Sequence, residues 1–497
     1  MESQLLPILV VASSFASGVF IFLLREDQKA LRTAANLASA LLKIAFLAFM
    51  LVRVAGGITY RVEFRLLEGA SLALHADPFS LLFASLSAFL WLFTTIYAIG
   101  YLEGSPERRR FFGFFSLCVC ATTGIALAAN LLTFLIFYEL LTLTTYPLVV
   151  HRGTEKAVKA GYQYLVYTLA AGAVLLVAIV WLGLVVGATN FKQGGLLSEA
   201  DPRFAVQYRV IFAMLIAGFG VKCALVPLHG WLPSAMVAPA PVSALLHAVA
   251  VVKAGAFGIV RTVYDVYGIN YCHELGLLQP LAIAASITIL YGSLRAVFQD
   301  DIKRRLAYST VSQVSYIVLG AAVFGPLSTI GGIVHIVHQA LMKITLFFSA
   351  GILAETLGIH KVKELDGVGK RMPWTMAAFT VAAMGMIGLP PMAGFISKWY
   401  LARGAVAAGQ NWVIGVLIGS TVLNAMYFLP LVYAAWFKSA PQAWPVRKPG
   451  KWFEAPLSLL APPLVTASLT LLVGLMASTP FSPLEWARFI MELEYLR

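Results

Sequence analysis

Residues 212–261 read FAMLIAGFGVKCALVPLHGWLPSAMVAPAPVSALLHAVAVVKAGAFGIVR, and this stretch decides the fold. Two apolar helical runs flank a middle broken by proline and glycine, Pro227-Leu228-His229-Gly230-Trp231-Leu232-Pro233. Lys222 lies inside the first run, Lys253 inside the second, and His247 between them. A lone cation at hydrocarbon depth costs at least about 2.5 kcal/mol. Packing alone does not call for two lysines and a histidine there. The pattern points to a charge relay or ion site, built where a helix breaks and its backbone lines a wet cavity.

The whole chain reads as a membrane protein. Its 497 residues are 60% hydrophobic and 12% charged, about half the charged share of a soluble domain. Apolar runs recur near 5–24, 33–53, 78–101, 111–129, 131–150, 161–187, 209–228, 242–262, 280–298, 306–324, 328–354, 374–408, 412–437 and 456–477. Each can cross roughly 30 Å of hydrocarbon. The expected fold class is therefore an all-α polytopic membrane protein of about fourteen transmembrane helices. The run 374–408 is too long for one straight span, and Gly388-Leu389-Pro390-Pro391 predicts a second break within it.

The net charge of +13 comes from Lys and Arg spread in threes and fours between the apolar runs. One set of loops carries Arg25, Lys29 and Arg32, then Arg108–Arg110, then Arg152, Lys156 and Lys159. It continues with Lys303–Arg305, Lys361, Lys363, Lys370 and Arg371, then Lys438, Arg447, Lys448 and Lys451. The alternate loops are poorer in positive charge. The positive-inside rule then places both termini on the outer side, and no basic arm suggests nucleic acid as a partner. The first apolar run has no basic leader before it and is expected to be a retained span. Cys118, Cys120, Cys223 and Cys272 form no CxxC and are expected to be buried thiols, with no metal site. No Walker, dinucleotide-binding, HExxH, haem or iron–sulfur motif is present, so no cofactor is expected.

Further ionisable residues sit in other runs. Glu139, in FYELLTLTTYPLV (137–149), is either satisfied by neighbouring threonines or a partner for Lys222. As a partner it would restore the lysine's charge against desolvation, so moving the pair together or apart would switch lysine protonation. His335, His338 and Lys343 share GGIVHIVHQALMKITLFFSAG (331–351), the histidines lying three apart on one helix face. Lys398, beside Trp399 and Tyr400, either joins the relay or snorkels to an interface. The seventh and twelfth spans each combine a proline break with a lysine. They stand five spans apart, an odd number, which inverts topology. That arrangement matches inverted repeats with broken helices at the conducting site. The chain then divides into helices 1–3 (1–110), a first five-helix repeat (111–262), a second (280–437), and a final loop and helix (438–497).

With these residues in hand, the chain resembles the antiporter-like membrane proteins shared by Mrp-type cation/proton antiporters and respiratory complex I. The resemblance rests on 137–149, on the 222–255 segment, on HQALMKITLFFSAG (338–351) and on GLPPMAGFISKW (388–399). The wording APAPVSALLHAVAVVKAG (238–255) is most similar to the D component of the Mrp group. The resemblance implies fourteen helices, two inverted five-helix units and a central polar axis. It implies Glu139 and Lys222 as the switch, continued by His247, Lys253, Lys343 and Lys398. The family pattern has a histidine four positions before the eleventh-span lysine. This chain has Gln339 there and His338 one position earlier, which makes His335 the stronger relay candidate. The function implied is proton translocation within a multisubunit complex of the bacterial inner membrane. Partner membrane subunits, H+ and the lipid bilayer follow from this, with Na+ left open. The parent complex is either an Mrp-type antiporter or a NADH–quinone oxidoreductase or related hydrogenase or formate-linked complex. A stand-alone solute transporter is the third alternative.

Overall fold

The computed structural model describes residues 5–67, 70–187, 189–198, 201–440 and 453–495. Among the described residues the chain runs up and down in fourteen helical columns. They are α1 (Leu6–Leu23), α2 (Lys29–Ala55), α3 (Pro78–Tyr101), α4 (Arg108–Leu127), α5 (Leu131–Val149), α6 (Glu155–Val186) and α7 (Ala205–Cys223). Then follow α8 (Ala240–Tyr267), α9 (Leu278–Val297), α10 (Ile302–Ala322), α11 (Pro326–Leu357), α12 in halves Pro373–Ile387 and Ala393–Ala407, α13 (Trp412–Phe437) and α14 (Leu457–Leu475). Each coincides with an apolar run expected from the sequence. Twelve of them are long and apolar enough to cross a membrane. The other two columns are α10, which opens on Lys303-Arg304-Arg305, and the divided α12.

Helix starts follow local chemistry. Asp77, Asn130, Thr154 and Asp301 cap α3, α5, α6 and α10, each accepting from a backbone N–H three residues on. Burial identifies the centre. The most apolar stretch of α8 is wholly buried and that of α11 nearly so, while α1, α2 and α6 turn most of theirs outward. An outward-facing apolar majority is what lipid requires.

Two features depart from the expected pattern of helices and loops. An antiparallel hairpin, β1 (Tyr60–Leu67) and β2 (Ala70–Ala76), joins α2 to α3, so the fold is not purely helical. Its second strand bridges Ala128 through Leu74, and Asn130 bridges Asn190 on the same side. The eighth column, read as one continuous span, contains two π-helical turns, Leu245–Val249 and Thr262–Tyr267. The two expected breaks are present: α7 stops at Ala224 (φ +59°) and the first half of α12 at Gly388 (φ +94°). The basic residues Arg447, Lys448 and Lys451 lie outside the described residues. All four cysteines are free and buried.

Candidate functional site: a string of buried lysines

The break after α7 positions Lys222. With Ala224 left-handed, Leu225 N donates to Gly220 O at 2.9 Å, which closes the helix one turn after the lysine. Gly255 of α8 lies against this end: a Cβ there would sit 2.3 Å from Cys223 N and 2.6 Å from Phe219 O. Only glycine lets the two backbones meet so closely. Lys222 is fully buried and donates to the carbonyl oxygen of Tyr138, with its Nζ 3.3 Å from the Tyr138 ring centroid. Tyr138 ties α5 to α7 by donating its hydroxyl to Gly218 O at 2.8 Å.

Glu139 is one residue on from this contact and therefore on another face of α5. Its carboxylate packs against Gly172 of α6, where an added Cβ would meet Oε1 at 2.0 Å. Oε1 is buried with no hydrogen-bond partner. The charge of Lys222 acts on Glu139 through space, but no ion pair joins them. The structure thus brings the two expected residues together as neighbours that are not bonded.

In α8 the π turn carries His247, buried and stacked on Phe347 of α11 with ring centroids 4.5 Å apart. Neither ring nitrogen has a partner. Lys253, one turn past the irregularity at Ala250, is 1% exposed, and its Nζ has no partner. A π turn carries one more residue than an α turn and shifts the side-chain register, a device frequent at functional sites.

On α11, His335 Nδ1 shares a hydrogen bond of 2.8 Å with Ser397 Oγ of α12, and its Nε2 is unpartnered. Both nitrogens of His338 are buried and unpartnered, as are the side-chain amides of Gln339 and of Gln313 on α10. Lys343 donates to Leu306 O at 3.1 Å and to the Ser309 hydroxyl. Lys398 turns inward and does not snorkel. It donates to Ile387 O at 2.7 Å and Met386 O at 3.2 Å, the carbonyls freed by the break in α12, and to Thr421 Oγ1 at 3.3 Å. A cation at a helix C-terminus meets the negative end of the helix dipole.

Among the described residues, none of Lys222, Lys253, Lys343 and Lys398 is ion-paired. They hold carbonyls, hydroxyls or nothing. Uncharged partners leave a lysine free to take up or lose a proton, because neither form is locked by a permanent counter-charge. Buried polar atoms without protein partners call for water between them. The arrangement is chemically suited to passing protons, and among the described residues no group of three or more His, Cys, Asp or Glu is placed to hold a metal ion.

The sequence profile described as "NADH:quinone oxidoreductase/Mrp antiporter, TM" matches residues 128–424, more than half of the chain. The protein belongs to this family. A second profile, "NADH-Ubiquinone oxidoreductase (complex I), chain 5 N-terminus", matches residues 69–112. The N component of the NADH-quinone oxidoreductase of Desulforudis audaxviator is 37% identical over 415 residues, covering 80% of this chain and 81% of the relative. The D component of the Na(+)/H(+) antiporter of Alkalihalophilus pseudofirmus is 27% identical over 446 residues, covering 87% of this chain and 86% of the relative. A chain in the structure of the Mrp complex from Dietzia sp. superposes with a TM-score of 0.86 over 100% of this chain and 98% of that one, at 23% identity. The shared fold is that of the antiporter-like membrane proteins.

Several polar residues of this family member were not singled out by reading its sequence. Ser309 and Ser397 are uncharged and unremarkable in an apolar run, and only the fold brings them to Lys343 and His335. Lys43 of α2 carried a signal, a cation inside an apolar run. It is fully buried but satisfied, donating to Ser14 Oγ at 2.6 Å and Thr123 Oγ1 at 2.8 Å, on helices outside the string.

Proposed function

We propose that this chain is a proton-translocating subunit of a multisubunit membrane complex. Protons pass along Glu139, Lys222, His247, Lys253, His335, Lys343 and Lys398, with His338 beside that line. One observation carries the reading: four buried lysines without ion pairs, strung through α7, α8, α11 and α12 where three of those columns are irregular. The matching breaks in α7 and α12, each beside a lysine, support reading 111–262 and 280–437 as two inverted units.

The parent complex on this reading is an Mrp-type cation/proton antiporter. The antiporter relative from Alkalihalophilus pseudofirmus, covered over 86% of its length, supports it. A second reading, a component of a NADH–quinone oxidoreductase, is favoured by the higher identity to the Desulforudis audaxviator relative. The proteins that co-purify in mild detergent decide between them: cation-antiporter components or iron–sulfur and flavin proteins. The basic loops favour a bacterial inner-membrane location with both termini outside.

The test of translocation is proton movement in sealed vesicles holding the assembled complex. Lys222→Ala removes the proton carrier, and Lys222→Arg keeps a charge that does not release its proton. Both should assemble and both should lose transport by about 100-fold or more. Normal transport by the Arg variant would reduce Lys222 to a fixed charge.

A further inference from the structure

Beyond the last column the chain turns back onto the bundle. A short helix, α15 (Pro483–Ile490), runs into a π-helical turn, Met491–Tyr495, at the end where α3 begins and α8 finishes. Trp486 Nε1 donates to Pro78 O at 2.9 Å, and the Tyr495 ring stacks on Tyr264 with centroids 4.2 Å apart. These contacts seat Glu494 in the bundle end, where it is 2% exposed. Its Oε1 accepts from Phe79 N at 3.3 Å, and the next amide, Ser80 N, donates to Asp77 Oδ1 at 2.6 Å. Two carboxyls thus sit on successive backbone N–H groups of one helix start. Oε2 of Glu494 is buried with no hydrogen-bond partner.

Charge counting singles out Glu494 from its neighbours. The Arg261 guanidinium is paired with Asp77 at 2.6 Å and with Asp265 at 3.0 Å, and that triad already carries one net negative charge. Among the described residues Glu494 has no ion pair. Ionising it would add a second negative charge in a site closed to water, so burial and repulsion both favour its acid form. Burial, and next the Asp77 charge, raise the Glu494 carboxyl well above its ordinary value, against the pull of Arg261. His75 of β2 completes the cluster, its Nδ1 3.6 Å from Asp77 Oδ2. Its side chain is 30% exposed, more than that of Asp77, Asp265 or Arg261, and so it marks the opening to water. On the other side an aromatic layer parts the cluster from Lys253. Phe257, one turn beyond Lys253, stacks on Phe79 at 4.5 Å and stands 5.0 Å from Phe83, with Arg261 over Phe79 and Phe257. Such a dry constriction passes no proton until water enters it.

We propose that Glu494 is the terminal proton carrier at the end of the bundle bearing both termini, exchanging protons between the lysine string and water beside His75. At rest Glu494 is the acid. It gives its proton to water at the His75 opening, and the carboxylate so formed takes a proton from Lys253, whose ammonium becomes the neutral amine. The Arg261 pairs with Asp77 and Asp265 stay fixed throughout and keep the site negative. This inference rests on the proton-translocating reading above.

The test uses the assembled complex in sealed vesicles, with proton transport measured as a function of pH. Glu494→Gln separates a proton carrier from a mere cap of α3. Its amide oxygen still accepts from Phe79 N, and its uncharged side chain copies the acid form. The complex should therefore assemble with its thermal transition unchanged or raised, while transport falls about 100-fold. His75→Gln, at a partly exposed position, should assemble, slow transport and shift its pH profile. It decides the matter should Glu494→Gln fail to assemble. Parent-level transport with an unmoved pH profile in Glu494→Gln, or in His75→Gln, overturns the proposal while leaving the translocation reading intact. An unmodified complex that moves no protons overturns that reading itself.

Discussion

Arg261 and Lys253 sit eight residues apart on α8 and are equally hidden, each 1% exposed. Their bonding could hardly differ more. The Arg261 guanidinium donates to both oxygens of Asp77 at 2.7 and 2.6 Å, to Ser80 Oγ at 2.8 Å and to Asp265 Oδ2 at 3.0 Å. It also stands within 5.1 Å of the ring centroids of Phe79 and Phe257. Lys253 Nζ touches no polar partner. One helix therefore holds a charge locked for architecture and another left loose. Arg261 pins the end of α8 to the start of α3 beside the hairpin. Lys253 pins nothing, and on the proposed relay it is a proton carrier.

The comparison breaks most violently at the locked end. Arg261→Met leaves the buried Asp265 and the partly buried Asp77 without the guanidinium, a loss of about 3–5 kcal/mol. The expected outcome is little protein in the membrane fraction and a collapsed thermal transition. Acid should act on the same contact. Burial raises the Asp77 carboxyl, but the Arg261 guanidinium and then His75 outweigh it and hold the group below its ordinary value. A carboxyl depressed in the fold stabilises above its unfolded pKa, and that contribution is lost as pH falls through the folded value. Thermal stability of the parent protein should accordingly decline on acidification below the ordinary carboxylate range, and that of Asp77→Asn should decline less.

How much of this was legible in the sequence follows from the kind of signal each feature leaves. A lysine in an apolar run announces itself, so Lys222, Lys253, Lys343 and Lys398 were readable, as were the breaks at Pro227 and at Pro390-Pro391. The Arg261–Asp77 contact was not, because 184 positions separate its partners and each residue alone looks like the end of a span. The π turn at Leu245–Val249 adds a single residue to one turn, too little to disturb a hydropathy pattern. The hairpin was hidden because Tyr60–Leu67 is mostly exposed on both faces, so no alternation of apolar and polar residues marks it. Asn424 is a single uncharged polar residue in α13, and only the fold brings its amide to Met386 O, the carbonyl that Lys398 also holds.

The Glu139–Lys222 pair lies between the two extremes, with charges adjacent but not bonded. Glu139→Ala should leave assembly intact and lower proton transport about 100-fold, with Glu139→Asp keeping part of the rate. The double change Glu139→Ala with Lys222→Ala should lose no more than either single change, because the two act as one unit. A double mutant clearly worse than both would separate them into independent sites.

The smallest effect on stability, and the most direct test that the loose charges are the working ones, belongs to Lys253→Met in the assembled complex. The substitution fills similar space and removes a buried charge that has no partner to leave behind. The account predicts a thermal transition equal to or above that of the parent protein, together with proton transport in sealed vesicles reduced to background. Normal transport, or a transition that falls as it does in Arg261→Met, would contradict it.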